Sequence, residues 1–276
     1  MNPAVGKDIR TGHLFHATGK TFVVAFDHGL LMGPIKGLED IVQSVSTVAS
    51  GRPDAIQVTP PVVGAIRENF SVRGGPALVA RIDVSNVWRT KPEPKPGYYE
   101  RLFSVKDAVR VDADAVVTYL LMGFSDDRDE GANLRALGQI AEEAMDYGMP
   151  LIIEPLGIEI GSQAVRDEDI IRLAVRVASE VGADILKVDY TGSRESFAKV
   201  VNSTFVPLLV RGGPKTKTLG ESFQMVEDSL QNGAQGIVFG RNVWQASDPK
   251  KMTEALTKLV HGEVGIKEAV SLVEKT

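Results

Sequence analysis

The chain has 276 residues, of which 43% are hydrophobic and 24% are charged, a composition typical of a soluble globular protein with a full core. Its formal net charge of −5, without a dense stripe of Lys and Arg, argues against a general nucleic-acid surface. The absence of cysteine excludes disulfides, thiol nucleophiles and cysteine-bound metals. The histidines lack the spacing of a helical metal site, so we expect neither a metal nor another cofactor.

Residues 1–20 carry charges throughout and lack the apolar centre of a signal peptide. No stretch of the sequence approaches the roughly 18 apolar residues that a membrane span needs. Together with the absence of cysteine, these features favour a cytoplasmic protein. We expect neither a membrane nor a nucleic acid among its partners.

Short apolar runs rich in Val, Ile and Leu recur along the chain and predict eight buried β-strands. They lie at 21–26, 55–59, 77–83, 115–122, 151–154, 185–190, 207–210 and 237–239. Segments of helical character occur at 38–49, 60–68, 133–147, 167–181, 195–201, 219–230, 248–260 and 266–273. This alternation predicts one domain, 1–276, folded as an α/β protein of the (β/α)8 TIM barrel type. A doubly wound open sheet is the alternative, but no G-x-G-x-x-G follows the first strand.

A Pro-rich loop at about 84–101 interrupts this alternation. Pro92, Pro94 and Pro96, followed by Gly97, exclude helix or strand in this stretch. In a barrel the loop would leave the C-terminal face after the third strand, and long loops in compact domains are often functional. An active-site lid explains it as well as a surface or subunit-contact loop does.

Polar residues stand where several of the predicted strands end, on the rim that carries the active site in this fold. They are Asp27, His28, Glu154, Lys187, Arg211, Gly212, Gly213, Gly240 and Arg241. Each could be structural alone, because buried carboxylates pair with neighbouring cations and glycines serve turns. Polar ends on five strands of one rim favour a functional site.

Lys187 lies in the middle of an apolar strand, whose periodicity places Ile185, Lys187 and Asp189 on one face. An ammonium group removed from water costs several kcal/mol unless it is paired or deprotonated. Lys187 is therefore either half of a structural ion pair or an amine with a lowered pKa that forms a Schiff base with a carbonyl substrate. Glu154, on the adjacent predicted strand, can reach it inside the mouth of the barrel.

Glycines and cations occur together after the last two predicted strands, where barrels commonly bind phosphate. Gly212-Gly213 and Gly240 would let backbone N–H groups approach an anion, and Arg211 or Arg241 could add charge-assisted hydrogen bonds. Turn formation alone is the other explanation for the glycines. A lysine and a carboxylate beside a phosphate site describe carbonyl chemistry on a sugar phosphate.

The stretches FDHGLLMGP, ILKVDYTG, RGGPKTKT and VFGRNVWQ resemble the signature sequences of class I aldolases of the archaeal fructose-bisphosphate aldolase type, in the DeoC/LacD superfamily. The resemblance extends from about residue 21 to residue 261. It implies that Lys187 forms the Schiff base and that Asp27, in the Asp27-His28 pair, assists proton transfer or orients the lysine. It further implies that Gly212-Gly213 and Gly240-Arg241 hold a phosphate, and that the protein is a homo-oligomer, such as a large ring-like assembly.

Two positions depart from the pattern of this family. Many relatives carry a Tyr-Pro pair after the fifth strand, with the tyrosine as general acid/base, whereas here Glu154 and Pro155 precede Leu156. The run LIIEPL instead resembles that of tagatose-bisphosphate and sulfofructose-phosphate aldolases, in which the glutamate is the acid/base. We therefore assign proton transfer to Glu154, which could act near neutral pH if burial raises its pKa. Arg211 stands where relatives usually have a small residue, which suggests another anionic group or a different phosphate pose.

The sequence thus predicts a Schiff-base aldolase that cleaves or condenses a phosphorylated ketose, with Lys187 as nucleophile and Glu154 as acid/base. A transaldolase or thiolase-type transfer on the same scaffold differs only in its acceptor. A second alternative is a sugar-phosphate isomerase or epimerase, in which Lys187 only stabilises an enolate. A third is a non-catalytic sugar-phosphate sensor, for which a reactive amine would serve no purpose.

Overall fold

The computed structural model describes residues 2–89, 91–92, 97–158 and 167–274. Within these residues, eight parallel strands close into a barrel in the spatial order β1-β2-β3-β6-β7-β8-β9-β10. The barrel strands are β1 (Thr21–Ala25), β2 (Ala55–Val58), β3 (Ala77–Arg81), β6 (Ala115–Met122), β7 (Leu151–Gly157), β8 (Ile185–Asp189), β9 (Leu208–Arg211) and β10 (Gly236–Phe239). The predicted (β/α)8 fold is confirmed, and the open-sheet alternative is wrong because β10 pairs with β1.

Helices surround the barrel and connect its strands. They are α1 (Pro3–Leu14), α2 (His28–Met32), α3 (Ile41–Ala49), α4 (Pro60–Ile66), α5 (Val105–Arg110), α6 (Asp127–Asp146), α7 (Glu168–Val181), α8 (Arg194–Val201), α9 (Leu219–Gln231), α10 (Arg241–Trp244), α11 (Pro249–Val260) and α12 (Ile266–Glu274). In the part of the chain that the structure describes, none of them combines the length and the hydropathy required to cross a bilayer.

The sequence pattern did not predict α1, α2, α5 or α10, because none of them shows an extended apolar period. Local capping accounts for two of these helices. The Asn2 side chain accepts a hydrogen bond from the amide of Ala4 at the start of α1, where Pro3 occupies the first helical position. Ser104 and Asp107 form a reciprocal capping box at the start of α5.

Of the three apolar clusters in the described residues, two pack against the whole ring of barrel strands. The larger one lies between the outer face of the strands and the helices. The smaller one fills the N-terminal half of the barrel interior with Val, Ile, Leu and Ala side chains from all eight barrel strands, such as Val79, Val117 and Ile185. Leu14, the last residue of α1, closes this layer from below and is 2% exposed. The interior is therefore a packed core at this end, as in barrels generally.

The Pro-rich loop is more ordered at its ends than the sequence predicted. Its first residues, β4 (Asp83–Ser85), pair in antiparallel fashion with β5 (Tyr99–Arg101), so the expectation that strand is excluded throughout is wrong. Pro94 and Pro96 lie outside the described residues. The pairing brings the two ends of the loop together beside the barrel, and it places Asp83 against the barrel interior, where it is fully buried.

Helix α7 packs on a different face from the one its apolar residues suggest. The sequence pattern predicts one apolar face made of Ile170, Leu173, Ala174, Val177 and Val181. In the structure the buried positions include Ile171, Ala174, Val175 and Ala178, while Leu173 is 55% exposed. The small residues allow α7 to approach the barrel closely, which leaves part of the larger apolar stripe on the surface.

Candidate active site

The C-terminal half of the barrel interior holds a buried cluster of charged side chains, with Lys187 near its centre. Lys187 points inward from β8, and its side chain is 7% exposed. Ile153 on β7 lies opposite Leu186 on β8, so Glu154 and Lys187, one residue further along, are neighbours. The Lys187 Nζ atom lies 2.9 Å from Glu154 Oε2. The structure therefore brings together the two residues that the sequence assigned to nucleophile and acid/base.

Arg81, at the end of β3, connects the carboxylates of this cluster, and the sequence analysis missed it. Its guanidinium donates from Nε to Asp27 Oδ2 at 2.8 Å, from Nη1 to Asp83 Oδ1 at 3.1 Å and from Nη2 to Glu154 Oε2 at 2.5 Å. The residue is completely buried, and the guanidinium stacks on the Tyr119 ring at 3.8 Å from its centroid. One fixed fork of donors thus sets the positions of three carboxylates.

Asp27 is held as an ionised acceptor at the end of β1. Besides Arg81, the Gln57 side-chain amide on β2 donates to its Oδ2 atom at 2.5 Å. Burial by itself would raise the pKa of Asp27, but the charges of Arg81 and Lys187 outweigh burial and hold that pKa well below its usual range. Asp27 is therefore a carboxylate at every pH at which the protein would work.

Arg211, on the last position of β9, is also part of the buried cluster. Its Nη2 atom lies 2.6 Å from Asp189 Oδ2, and its Nη1 atom lies 3.4 Å from Glu154 Oε1. These partners explain how an arginine is accommodated at a position that the sequence singled out as unusual. A contact between Arg211 and a substrate anion stays a prediction, because two of its nitrogens already face carboxylates.

The charges around Glu154 lower its pKa instead of raising it. Burial acts to raise the pKa, but Lys187, Arg81 and Arg211 together more than compensate for burial, and the carboxyl is ionised in the unliganded protein. The expectation that burial would raise this pKa is therefore wrong for the free site. In this state Glu154 can accept a proton but has none to donate.

The pKa of Lys187 is lowered from its ordinary value, as a nucleophilic amine requires. Burial is the largest cause, and the Arg81 charge adds to it, whereas Glu154 and Asp27 act in the opposite direction. Arg81 thus favours the ionised form of Glu154 and at the same time disfavours the charged form of Lys187. The site balances four carboxylates, those of Asp27, Asp83, Glu154 and Asp189, against the cations Arg81, Lys187 and Arg211.

The tyrosines that could replace Glu154 in proton transfer are poorly placed for it. Tyr119 points into the cluster, but burial raises the pKa of its hydroxyl well above the usual value. The Tyr190 hydroxyl lies outside the barrel, 3.5 Å from Asp228 Oδ2. Burial and this aspartate also raise the pKa of Tyr190. Among the residues considered for acid/base work, Glu154 is the one in direct contact with Lys187.

The glycine loops after β9 and β10 lie side by side at the same mouth. Asn242 joins them by donating to the Gly212 carbonyl at 3.2 Å and by accepting from the Thr216 amide at 2.8 Å. A Cβ atom on Gly212 would lie 2.9 Å from Phe239, and one on Gly240 would lie 2.6 Å from His28. Close packing thus requires both glycines, whether or not an anion binds beside them.

Gly213 and Arg241 complete the two loops. Gly213 has a φ of +62° and makes the turn that follows β9. Arg241 is the first residue of α10, and the first turn of a helix leaves its amide N–H groups without partners inside the helix. Anion binding by these amides and the Arg241 guanidinium stays a prediction.

Comparison with known proteins identifies the family of this chain. Residues 21–246 match the family model described as DeoC/LacD family aldolase. The chain belongs to the DeoC/LacD aldolase family. The resemblance read from the four sequence stretches is thereby confirmed.

Individual relatives of this aldolase are similar over nearly their whole length. It is 47% identical to an uncharacterized aldolase of Saccharolobus solfataricus, a match that covers 98% of this chain and 100% of the relative. It is 31% identical to 2-amino-3,7-dideoxy-D-threo-hept-6-ulosonate synthase of Halobacterium salinarum, with 91% of each chain covered. The fold is similar to that of an archaeal fructose-1,6-bisphosphate aldolase, solved with its catalytic lysine covalently bound to the carbinolamine intermediate of the substrate. That match has a TM-score of 0.80 and 27% identity, and covers 93% of this chain and 100% of the other.

Proposed function

We propose that this aldolase forms a Schiff base between Lys187 and a phosphorylated ketose, and that it cleaves or condenses the adjacent carbon–carbon bond. The observation that carries the proposal is the buried contact of 2.9 Å between the Lys187 amine and the Glu154 carboxylate at the mouth of the barrel. Membership of an aldolase family supports it, as does the carbinolamine on the lysine of the archaeal relative.

In the cleavage direction, the neutral Lys187 amine attacks the ketone carbon and the resulting carbinolamine loses water to give an iminium. Glu154, which is ionised in the free site, accepts the proton of the substrate hydroxyl that becomes the aldehyde. The carbon–carbon bond breaks, and its electron pair moves to the iminium to form an enamine. The protonated Glu154 then returns a proton to the enamine carbon, and water releases the second product.

The surroundings of these two residues fit these steps. Arg81 is held by Asp27 and fixes the position of Glu154 through a hydrogen bond. Glu154 in turn contacts Lys187, and the carboxylates of Asp27 and Glu154 offset the charge of the iminium. Because Glu154 contacts Arg81, Arg211 and the lysine at once, it can hold a proton only transiently. A transient acid/base is what a proton relay between two carbon centres requires.

Borohydride trapping tests the proposal. Incubation with dihydroxyacetone phosphate and borohydride should add the mass of the reduced ligand to the peptide that carries Lys187, and Lys187→Ala should abolish this labelling. An isomerase or epimerase that works through an enolate offers no imine to reduce. Absence of labelling with a panel of phosphorylated ketones, or labelling that persists in Lys187→Ala, would reject the Schiff-base mechanism.

The phosphate half of the proposal concerns the loops after β9 and β10, where Gly212-Gly213 and Gly240-Arg241 would hold the anion. Truncation of the guanidinium in Arg241→Ala should raise the KM for a phosphorylated substrate by at least about tenfold, with a much smaller effect on its unphosphorylated analogue. Arg194→Ala is the matched control, since Arg194 pairs with Asp228 outside the barrel. An equal loss for both substrates would make Arg241 structural.

A further inference from the structure

His28, the first residue of α2, is held between Asp27 and the glycine loop after β10. Its Nδ1 atom lies 3.6 Å from Asp27 Oδ1. Its other edge lies against Gly240, because a Cβ atom on that glycine would be 2.6 Å from His28 Cε1 and 3.2 Å from His28 Nε2. The Trp244 ring packs edge-on against the imidazole, at 5.3 Å between centroids, and is itself fixed by a hydrogen bond from its indole N–H to the Ala25 carbonyl. The imidazole therefore faces a carboxylate with one nitrogen and the loop backbone with the other.

Burial keeps His28 neutral in the free protein. Burial lowers the pKa of His28 to about 4, against the attraction of Asp27, while the Lys187 and Arg241 charges add to the lowering and Glu154 opposes it. Asp27 follows β1, and the other three charges lie on three further elements. Lys187 is on β8, Arg241 on α10 and Glu154 on β7. A neutral imidazole has one N–H donor and one lone pair.

The ionised Asp27 carboxylate determines which nitrogen carries the proton. Since a carboxylate only accepts hydrogen bonds, the favoured tautomer of His28 places its N–H on Nδ1, facing Asp27. The lone pair of Nε2 then faces the Gly240 loop. A phosphate dianion in that loop also offers only acceptors, so a neutral His28 would oppose it.

We propose that the binding of a phosphate group between the β9 and β10 loops protonates His28, so that the complex holds one proton more than the free protein and the phosphate dianion do. This inference rests on the phosphate site of the proposed function. The imidazolium donates from Nε2 to a phosphate oxygen and from Nδ1 towards Asp27, so that both nitrogens face acceptors. The proton comes from solvent or from the phosphate monoanion, so the bond formed is the N–H on Nε2 and the bond broken is the O–H of the proton donor.

Protonation of His28 has a consequence for Lys187. A phosphate dianion near the buried cluster would by itself favour the charged form of every cation nearby, including the Lys187 ammonium. The charge gained by His28 cancels part of the phosphate charge and repels a proton on Lys187. The amine is thus kept available for attack on the ketone of the same substrate.

Calorimetry measures the proton uptake directly. Glycerol 1-phosphate lacks a carbonyl group and therefore binds without forming an imine. We expect its titration into the protein at pH 8, in buffers of different ionisation enthalpy, to show uptake of about one proton per site. As a result, its Kd should rise up to about tenfold per pH unit above pH 8.

His28→Gln and His13→Gln form a matched pair of variants. The glutamine amide can donate to phosphate from the position of Nε2 without titrating, so His28→Gln should bind glycerol 1-phosphate with uptake close to zero and a flat pH dependence. His13, which pairs with Asp114 at the opposite end of the barrel, should be replaceable without effect on the uptake. Uptake that persists in His28→Gln, or binding by the unmodified protein without uptake, would overturn the inference.

Nitrogen-15 NMR of the unmodified chain tests the proposal without any variant, so the result does not depend on whether a variant folds. The chain has four histidines, so their ring signals are few. One imidazole should change from the neutral to the doubly protonated form when glycerol 1-phosphate is added at pH 8, and no change in any ring would refute the proposal.

Borohydride labelling of Lys187 with dihydroxyacetone phosphate separates the two hypotheses. Labelling without proton uptake rejects the role of His28 alone, whereas loss of labelling rejects the Schiff-base function.

Discussion

The two halves of the barrel interior are built on the same strands but hold opposite chemistry. In the N-terminal half, apolar side chains from every barrel strand pack together with Leu14, the plug that closes this end of the barrel. In the C-terminal half, Arg81, Lys187 and Arg211 lie among four carboxylates. On β8 the change takes place within two residues, because Ile185 belongs to the apolar layer and Lys187 to the charged cluster.

The two halves differ in their roles: the apolar half stabilises the fold, and the charged half carries the candidate reactive groups. The apolar half gains free energy from burial, roughly in proportion to the apolar area that it removes from water. The charged half is tolerable only as a set, since buried ion pairs seldom stabilise a fold relative to apolar residues of the same size, while removal of one partner is costly. Such a set is well suited to controlling the pKa values of a nucleophile and its base.

Glu154→Gln should cause the largest loss of activity, and it tests the role of the charged half of the barrel interior directly. The amide keeps the shape and most hydrogen bonds but cannot relay protons, so turnover of the substrate should fall by about 10²–10⁴-fold. Borohydride trapping of Lys187 should slow but survive. Glu143→Gln, which removes a carboxylate outside the barrel, is the control. If trapping and turnover fall in step, Glu154 only positions the lysine. Near wild-type turnover would reject the mechanism.

Arg81→Met should destabilise the protein and shift its pH profile together. The substitution removes a charged donor from each of the buried carboxylates Asp27, Asp83 and Glu154, at a cost of about 3–5 kcal/mol in the free energy of unfolding. Because the guanidinium helps to lower the pKa of both Asp27 and Glu154, the acid limb of kcat/KM should move to higher pH. Arg101→Met, whose partner Glu143 lies outside the barrel, should leave the acid limb in place. A destabilised variant with an unmoved acid limb would mean that Arg81 is purely structural.

Leu14→Ala tests the role of the apolar half of the barrel interior. It removes a buried side chain from the plug, and the loss of burial together with the cavity left behind should lower the free energy of unfolding by about 2–4 kcal/mol. Since the plug does not contact the charged cluster, kcat and the rate of trapping should remain within about twofold at 25 °C. Urea denaturation and the trapping assay measure the two effects separately. A large change in trapping would show that the two halves of the interior are coupled.

The buried, neutral His28 should make the free energy of unfolding depend on pH, an effect smaller than those above. Its pKa is about 4 in the folded protein but about 6.5 in the unfolded chain, so between these values the unfolded state binds more protons. Stability should therefore fall as the pH is lowered from 6.5 towards 4, by at most about 3 kcal/mol. Asp27 and Glu154, with lowered pKa values, lose their contribution only below about pH 4.

The control for this prediction is His28→Gln, which should lose less stability than the unmodified protein between pH 7 and pH 4.5 in urea titrations. His13→Gln should behave like the unmodified protein in the same comparison. Equal losses in the unmodified protein and in His28→Gln would show that His28 is not buried in its neutral form.

The barrel and its polar rim could both be predicted from the sequence. Eight apolar runs separated by helical segments leave few other ways to bury both faces of a parallel sheet, and all eight strands were found at the predicted places within a few residues. The lysine at an inward position of such a strand is informative because a charge there is costly without a purpose. Polar residues at the strand ends share a rim because parallel strands all end on the same side.

Which charged side chains meet, and which pKa values result, depends on contacts that form when the chain folds. Arg81 ends an apolar run as Lys187 interrupts one, yet two of its three carboxylate partners, Asp27 and Glu154, come from distant segments of the chain. The third, Asp83, lies two residues further along. The sequence could assign Glu154 to proton transfer but not foresee that three cations would lower its pKa, because that balance depends on distances of a few ångströms. The pairing of β4 with β5 and the buried face of α7 were decided in the same way, by packing partners that are far apart along the chain.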